Sequence, residues 1–141
     1  MSVEENKENI RRHVDEIWHK GNMEVIPELI APNYVLRSTE TGDDITGIEG
    51  FKQIVTSQRT STPDLHFTID HMIAEGDYVA VQYISTGTFT GKAGDIEPTG
   101  KKATLKHAII YRFEGGKQAE VWAYRDLLSM YQQLGIPIPS Q

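Results

Sequence analysis

Residues 103–126 read ATLKHAIIYRFEGGKQAEVWAYRD and contain two apolar runs separated by a pair of glycines. Two runs rich in β-branched and aromatic residues, Ala103 to Phe113 and Gln118 to Asp126, flank the segment Glu114-Gly115-Gly116-Lys117, which is typical of a hairpin turn. The stretch therefore predicts two long antiparallel strands joined by a tight turn.

The same pattern occurs upstream of this hairpin. His66 to Glu75 and Tyr78 to Phe89 are strand-like and are separated by the short turn Glu75-Gly76-Asp77. Thr90 to Gly100 contains three glycines and one proline and predicts a long connection between the two hairpins. One more short strand is predicted from Tyr34 to Ser38.

Helices are predicted mainly in the first half of the chain. Apolar residues recur at helical spacing from Val3 to Lys20. Ser2 and Glu5 have the spacing of a capping box at the start of this predicted helix. Further helices are predicted over Met23–Ile30, from the capping pair at Thr46 to about Ser57, and over Leu127–Leu134. Helices followed by antiparallel hairpins favour an α+β domain, in which a curved antiparallel sheet wraps around N-terminal helices.

Composition limits the classes of function. A chain of 141 residues fits one domain, expected to span residues 1–141, and the absence of cysteine excludes disulfides and thiolate nucleophiles. A net charge of −6 without a basic cluster argues against a nucleic-acid partner. No apolar run is long enough to span a membrane and no secretory signal is present, so a cytoplasmic protein is expected. Phosphate-binding, dinucleotide and metal-ligand motifs are also missing, so no cofactor and no metal are expected.

In the 103–126 hairpin, the sequence predicts the inner face of the first strand but not that of the second. On the first strand His107 shares a face with apolar residues, and that face is expected to point inward. On the second strand, the face that carries Trp122 and Asp126 alternates with a face of small residues. The sequence leaves open which of these two faces is the inner one.

Asp126 and His107 are the candidate catalytic residues, and each has a structural alternative. If Trp122 faces inward, Asp126 reaches the same interior as His107 and could move a proton next to a carbonyl group. However, Asp126 directly precedes a predicted helix, where an aspartate is very often only the N-cap. A lone histidine on an apolar strand face is likewise more often a hydrogen-bonded core residue than a base.

Several longer phrases of the sequence resemble the SnoaL-like polyketide cyclase family, whose cone-shaped fold is shared with ketosteroid isomerase and nuclear transport factor two. In chain order, and together covering nearly the whole chain, they are EIWHKGN at 16–22, LIAPNYVLR at 29–37, GIEGFKQIV at 47–55, PDLHFTIDHMIAEGDYVAVQY at 63–83, EPTGKKA at 97–103 and IIYRFEGGKQAEVWAYRDLLSMYQQLG at 109–135.

The resemblance implies a cone-shaped α+β barrel with an internal pocket, and frequently a homodimer formed through the sheet. It also implies an intramolecular aldol ring closure without cofactor or metal, with Asp126 of the W-x-x-x-D motif as the acid–base. His107 is a candidate partner from its place on the apolar strand face and not from the resemblance. Arg37 departs from the family pattern, since many relatives have histidine there. The substrate-binding residues expected to line the pocket are Trp18, Tyr34, Arg37, Phe51, Phe67, Tyr83 and Trp122.

Two functions remain open at this point. In the first, the protein is a cofactor-free cyclase-like enzyme, or an isomerase or lyase, that acts on a small hydrophobic carbonyl compound by acid–base catalysis. In the second, the same fold only binds a small hydrophobic molecule or serves as an interaction domain, because fold does not decide function.

Overall fold

The computed structural model describes residues 2–38 and 42–138. Its α-helices are α1 Val3–Arg12, α2 Ile26–Leu29, α3 Gly47–Ser61 and α4 Leu127–Leu134. Two other helical segments lie between α1 and α2, a π-helical segment at His13–His19 and a 3₁₀ turn at Met23–Val25. Within the described ranges, no helix is both long and apolar enough to cross a membrane.

Six strands form one curved, open sheet in the spatial order β2-β1-β6-β5-β4-β3. The strands are β1 Ile30–Ser38, β2 Ile45–Thr46, β3 His66–Glu75, β4 Tyr78–Thr88, β5 Lys102–Glu114 and β6 Lys117–Arg125. Both predicted hairpins, β3–β4 and β5–β6, are present, and the predicted α+β class is confirmed. One pair departs from the antiparallel expectation, because β1 lies parallel to β6.

Strand β1 is longer than the sequence predicted. The helix predicted to reach Ile30 ends at Leu29, and the chain enters the sheet at once. The register with β6 is interrupted between Ile30 and Val35. Pro32 lies in this interrupted stretch, where its missing N–H removes no bond from the regular ladder.

Two of the three predicted N-terminal helix caps form hydrogen bonds in the structure. Oγ of Ser2 accepts a hydrogen bond from the backbone N–H of Glu5 at 3.1 Å, as the capping-box spacing predicted. Asn22 caps the 3₁₀ turn in the same way, through the N–H of Glu24. Thr46 precedes α3 as predicted but makes no side-chain capping bond.

The helices pack on the inner face of the sheet and bury a single apolar cluster. Asn9 of α1 fixes this packing with polar contacts, because its Nδ2 donates to the carbonyl oxygens of Leu29 and Gly116, each at 3.1 Å. Its Oδ1 accepts a hydrogen bond from Nε2 of Gln118 at 2.9 Å. Helix α1 is thereby held against the turn of the β5–β6 hairpin, and the space between α3, the π-helical segment and the sheet stays open.

Candidate active site

A cavity of about 460 Å³ lies between the helices and the inner face of the sheet. Its size falls within the range of small-molecule sites, and most of its wall is apolar. We call it the inner chamber. Its apolar lining includes Val14, Leu36, Ile54, Ile109 and Val121.

The inner chamber brings together most of the residues predicted to bind a substrate. The predicted residues among its lining are Trp18, Tyr34, Arg37, Phe51, Phe67 and Tyr83. The rings touch edge to face, with centroids 5.4 Å apart for Trp18 and Phe67 and 5.5 Å apart for Tyr34 and Phe51.

Trp122 is not brought to the chamber. It lies on the outer face of the sheet, with its ring stacked on Tyr78 at a centroid distance of 6.4 Å. The inner face of β6 carries Val121, Ala123 and Arg125 instead.

A β-bulge lies at the start of β6. The register of β5 with β6 shifts between Arg112 and Phe113, so that Arg112 pairs with Glu120 and Phe113 with Gln118. Gln118 and Ala119 are consequently both buried, and strict alternation resumes only after them. Alternation counted from the start of the strand cannot show such a shift.

Asp126 is exposed and lies outside the chamber lining. Its Oδ1 accepts a hydrogen bond from the backbone N–H of Ser129 at 3.1 Å, which caps α4. Of the two alternatives for Asp126, this geometry is that of the N-cap. The structure therefore does not bring Asp126 and His107 together inside the chamber.

His107 lines the inner chamber from β5 and is only 7% exposed. Its Nε2 and Oγ of Ser85 on the neighbouring strand are 2.7 Å apart, within hydrogen-bond distance. The edge of its ring contacts Phe67, with centroids 5.6 Å apart. In the sheet register His107 stands opposite Tyr83 on one side and Arg125 on the other, so all three side chains share the inner face.

Tyrosine hydroxyls supply hydrogen-bond donors to the same chamber. The hydroxyl oxygens of Tyr83 and Tyr111 are 2.7 Å apart. Burial raises the pKa of both phenols and of Tyr34, so all three keep their protons at neutral pH. Since the bond between Tyr83 and Tyr111 uses one proton, the proton of the accepting hydroxyl remains available for a ligand.

His13 is a further polar group in the chamber wall, and the apolar stripe of the first predicted helix places it beside Trp18. Its Nε2 accepts a hydrogen bond from the indole Nε1–H of Trp18 at 3.1 Å, so the proton of the neutral ring lies on Nδ1. Burial lowers the pKa of His13 to about 4, which keeps the ring neutral at pH 7. Within residues 2–38 and 42–138, Nδ1 has no hydrogen-bond partner.

Arg37 lies at the rim of the chamber, where two carboxylates balance its charge. It pairs with Asp44 at 2.6 Å and with Glu120 at 2.8 Å. Glu120 also receives a hydrogen bond from Arg112 at 3.2 Å, and the Arg37 bond is the main cause that lowers the pKa of Glu120. Through its ion pair with Glu120, Arg37 connects β1 to β6.

The polar groups of the chamber therefore include neutral phenols, the imidazoles of His13 and His107, and the guanidinium of Arg125 beside His107. In the part of the chain that the structure describes, no three His, Asp or Glu side chains come together as metal ligands would. Tyr111 had a signal in the sequence, since it shares the inner face of β5 with His107. His13 lies on the apolar stripe of the first predicted helix and Arg125 on one of the two faces of β6 that the sequence left open, but neither has a partner visible in the sequence.

Comparison with known proteins places the fold and the family. The family model of SnoaL-like polyketide cyclases matches residues 8–134. The chain belongs to the SnoaL-like polyketide cyclase family. The resemblance seen in the sequence is thereby confirmed, and a search of curated protein sequences finds no significant match.

Solved structures agree with this assignment. A proposed SnoaL-like polyketide cyclase from Jannaschia sp. CCS1 superposes with a TM-score of 0.87 at 23% identity, over 96% of this chain and 95% of that one. A proposed polyketide cyclase from Acidithiobacillus ferrooxidans gives 0.81 at 30% identity, over 96% and 98%. AclR from Streptomyces galilaeus, a proposed hydroxylase, gives 0.82 at 22% identity, over 99% and 91%.

Proposed function

We propose that this SnoaL-like protein is a cofactor-free enzyme that binds a small, mainly apolar carbonyl compound in the inner chamber and catalyses proton transfer next to the carbonyl. The observation that carries the proposal is the shared inner face of Tyr83, Ser85, His107 and Tyr111. It sets neutral phenol donors beside an imidazole in an apolar cavity.

The tyrosines suit the carbonyl oxygen of such a substrate. Catalysis at a carbon next to a carbonyl develops negative charge on the oxygen, and donors fixed in advance stabilise that charge. The hydroxyl proton that the pair of Tyr83 and Tyr111 leaves unused is one such donor. Because burial raises their pKa, these phenols donate hydrogen bonds without losing their protons.

His107 is the group that transfers the proton in this proposal. The ring nitrogen that carries no proton removes one from the carbon next to the carbonyl, and the electron pair of that C–H bond forms an enolate. The enolate carbon then bonds to a second carbonyl carbon of the same molecule, and the imidazolium returns its proton to the new alkoxide oxygen. Ser85 orients the ring through the contact at Nε2. Acid–base catalysis of this kind contributes about 10²–10⁴-fold.

The exposed position of Asp126 supports assigning the proton transfer to His107. The carboxylate caps α4, and the cavity lining does not include it. Asp126 then acts on the site through α4, as a positioning residue. The alternative function, binding without catalysis, differs from the proposal only in the chemistry at His107, so an assay of proton exchange separates the two.

The test uses 1-tetralone, a two-ring ketone, in deuterated buffer. Wild-type protein is expected to exchange the protons next to the carbonyl faster than buffer alone, as followed by NMR. His107→Gln keeps a polar group near Ser85 but is a far weaker base, and it should lower the catalysed rate at least 100-fold. His71→Gln is the matched control, because His71 is exposed on β3 and lies outside the chamber.

The outcomes separate the two functions. Exchange at the wild-type rate in His107→Gln contradicts the role of His107. Binding of the ketone by the wild-type protein without any exchange contradicts catalysis and favours the ligand-binding alternative.

A homodimer through the outer face of the sheet is also part of the proposal. The outer face exposes Ile73, Tyr78, Ile110 and Tyr124 by 40–71%. At one end of this face Glu120 pairs with both Arg37 and Arg112, so charges there are largely balanced. An exposed apolar patch of this kind can be buried against its own copy in a symmetric dimer.

A further inference from the structure

The side chain of His19 joins the end of the π-helical segment to the start of β3. Its Nε2 accepts a hydrogen bond from the backbone N–H of Phe67 at 3.0 Å. Strand β3 is the last strand at its side of the sheet, so an N–H that points away from β4 has no further strand to pair with. His19 is the partner of one such N–H and holds the segment against the strand.

This hydrogen bond exists only while the imidazole of His19 is neutral. Because Nε2 accepts from Phe67, the single proton of the neutral ring lies on Nδ1, where Oδ1 of Asp15 is 3.3 Å away. A protonated ring carries an N–H on both nitrogens, and one of them would point at the N–H of Phe67. Protonation of His19 therefore breaks the contact with Phe67 and keeps the ion pair with Asp15.

The neighbouring His66 also disfavours a charge on His19. The two rings are stacked, with centroids 4.4 Å apart and an angle of 10° between their planes. Burial lowers the pKa of His19 and the charge of His66 lowers it further, whereas the carboxylate of Asp15 opposes the shift. We call the contact of His19 with His66 and Phe67 the imidazole clamp.

The other charges around this end of the segment do not replace the clamp. On the side of α3, Arg59 donates from Nη1 to the carbonyl oxygens of Trp18 and His19, and its guanidinium does not titrate. On the side of α1 and α2, the charged side chains are joined in ion pairs, namely Arg12, Glu16 and Glu28. The attachment to β3 is thus the contact that responds to the proton on His19.

The clamp joins the two stretches of backbone that carry an aromatic pair of the chamber wall. Trp18 directly precedes His19, and Phe67 directly follows His66. The rings of Trp18 and Phe67 meet edge to face at 5.4 Å, and both line the inner chamber. Their spacing therefore depends on the distance between the π-helical segment and β3.

We propose that the imidazole clamp is an acid-sensitive switch, in which protonation of His19 releases the π-helical segment from β3, separates Trp18 from Phe67 and weakens ligand binding in the inner chamber. In the released state the ring has its ordinary pKa of about 6.5, and in the clamp its pKa is lower. The released state therefore binds the proton first, so the clamp is complete above pH 6.5 and weakens as the pH falls below it. The effect on ligand binding rests on the proposed function, whereas the clamp itself does not.

The first measurement uses wild-type protein without ligand. The protection factor of the Phe67 amide, from hydrogen exchange followed by NMR, is expected to fall at least threefold between pH 7.5 and pH 5.0. The ring ¹⁵N signals of His19 at pH 7.5 are expected to show the proton on Nδ1. Because no substitution is involved, these results do not depend on whether a variant folds.

Three variants identify the group that responds to acid. His19→Gln retains a neutral acceptor for the N–H of Phe67, so its protection factor should change less than twofold over the same range. His66→Gln removes the second imidazole, so the fall should be smaller than in wild type. His71→Gln is the matched control and should keep the wild-type fall, because His71 is exposed on the same strand and contacts Gln82 instead.

The consequence for the chamber is measured as the Kd of 1-tetralone at pH 7.5 and at pH 5.0, by calorimetry. The increase in Kd on acidification is expected to be at least three times larger for wild type than for His19→Gln. His13 and His107 are present in both proteins, so their own protonation cancels in this comparison.

The outcomes separate the switch from the proposed function. A protection factor at Phe67 that does not fall, or that falls equally in wild type and in His19→Gln, overturns the clamp. A fall at Phe67 with equal increases in Kd overturns the link to the inner chamber. Absence of 1-tetralone binding at pH 7.5 contradicts the proposed function, and the exchange of the Phe67 amide then still decides the clamp.

Discussion

The indole of Trp18 donates its Nε1–H to Nε2 of His13, five residues earlier in the chain, at a distance of 3.1 Å. In an α-helix two residues at this spacing lie on different sides, since side chains three and four apart are the neighbours. The π-helical segment His13–His19 widens the turn and brings them together. One hydrogen bond thus fixes the position of a ring in the chamber wall and the tautomer of the imidazole.

The buried neutral state of His13 predicts a pH dependence of stability. Its pKa is about 4 in the folded protein and about 6.5 when unfolded, so the unfolded state binds the proton first as the pH falls. This contribution is complete above pH 6.5 and is lost as the pH falls from 6.5 towards 4, on the order of 3 kcal/mol in total. His13→Gln, which retains an acceptor for Trp18, should remove that part of the slope. Urea unfolding at pH 7, 6 and 5 measures it, and parallel slopes for both proteins would contradict the prediction.

The cap at Asp126 predicts different effects for two substitutions. Asp126→Ala removes the acceptor for the Ser129 N–H and should lower the free energy of unfolding by about 1 kcal/mol. Asp126→Asn, itself a good cap, should cost little and should leave proton exchange on 1-tetralone near the wild-type rate. Urea unfolding and the exchange assay are the measurements. Loss of exchange in a stable Asp126→Asn variant would restore the carboxylate as the acid–base.

The hydroxyl pair of Tyr83 and Tyr111 predicts that single and double substitutions differ. Tyr111→Phe leaves the hydroxyl of Tyr83 buried without its partner, which should cost about 1–3 kcal/mol. Removing the second hydroxyl as well, in Tyr83→Phe/Tyr111→Phe, should cost less than the two single changes added together. A double-mutant cycle by urea unfolding measures the coupling. Additive costs would show that the two hydroxyls do not stabilise each other.

The exposed outer face of the sheet predicts a dimer that a single charge can break. Tyr124 is 49% exposed, and in a dimer formed through this face its ring would be buried. Tyr124→Glu should therefore yield monomers, because burying an unpaired carboxylate is costly. Light scattering after size exclusion measures the mass, and circular dichroism checks the fold. A monomeric wild-type protein at 100 µM would contradict the homodimer.

The elements were more predictable from the sequence than the site. Strands β3 to β6 and helix α4 were found to within one residue at each end, because alternating apolar residues and Gly-containing turns are local signals. The extension of β1 back to Ile30 was missed, since local signals indicated a helix that Pro32 ends. Its pairing with β6 depends on residues far along the chain.

The positions of the site residues also depend on contacts between distant parts of the chain. His107 was assigned to the inner face correctly because its whole strand face is apolar. Trp122 was expected in the pocket, yet Val121, Ala123 and Arg125 face inward instead. Alternation alone does not say which face of a strand is the inner one, and the π-helical segment is a local change of period that a pattern read at constant period misses.

The hydrogen bond from Gln118 to Asn9 joins residues 109 positions apart, and the ion pair of Arg37 with Glu120 spans 83. On a ribosome that adds about 5–20 residues per second, the nascent helix α1 waits roughly 5–20 s for its partner strand. During that interval the apolar stripe around Ile10 and Ile17 has no sheet to cover it. This stripe therefore stays uncovered for much of the synthesis, and the inner chamber is enclosed only after translation has passed Gln118.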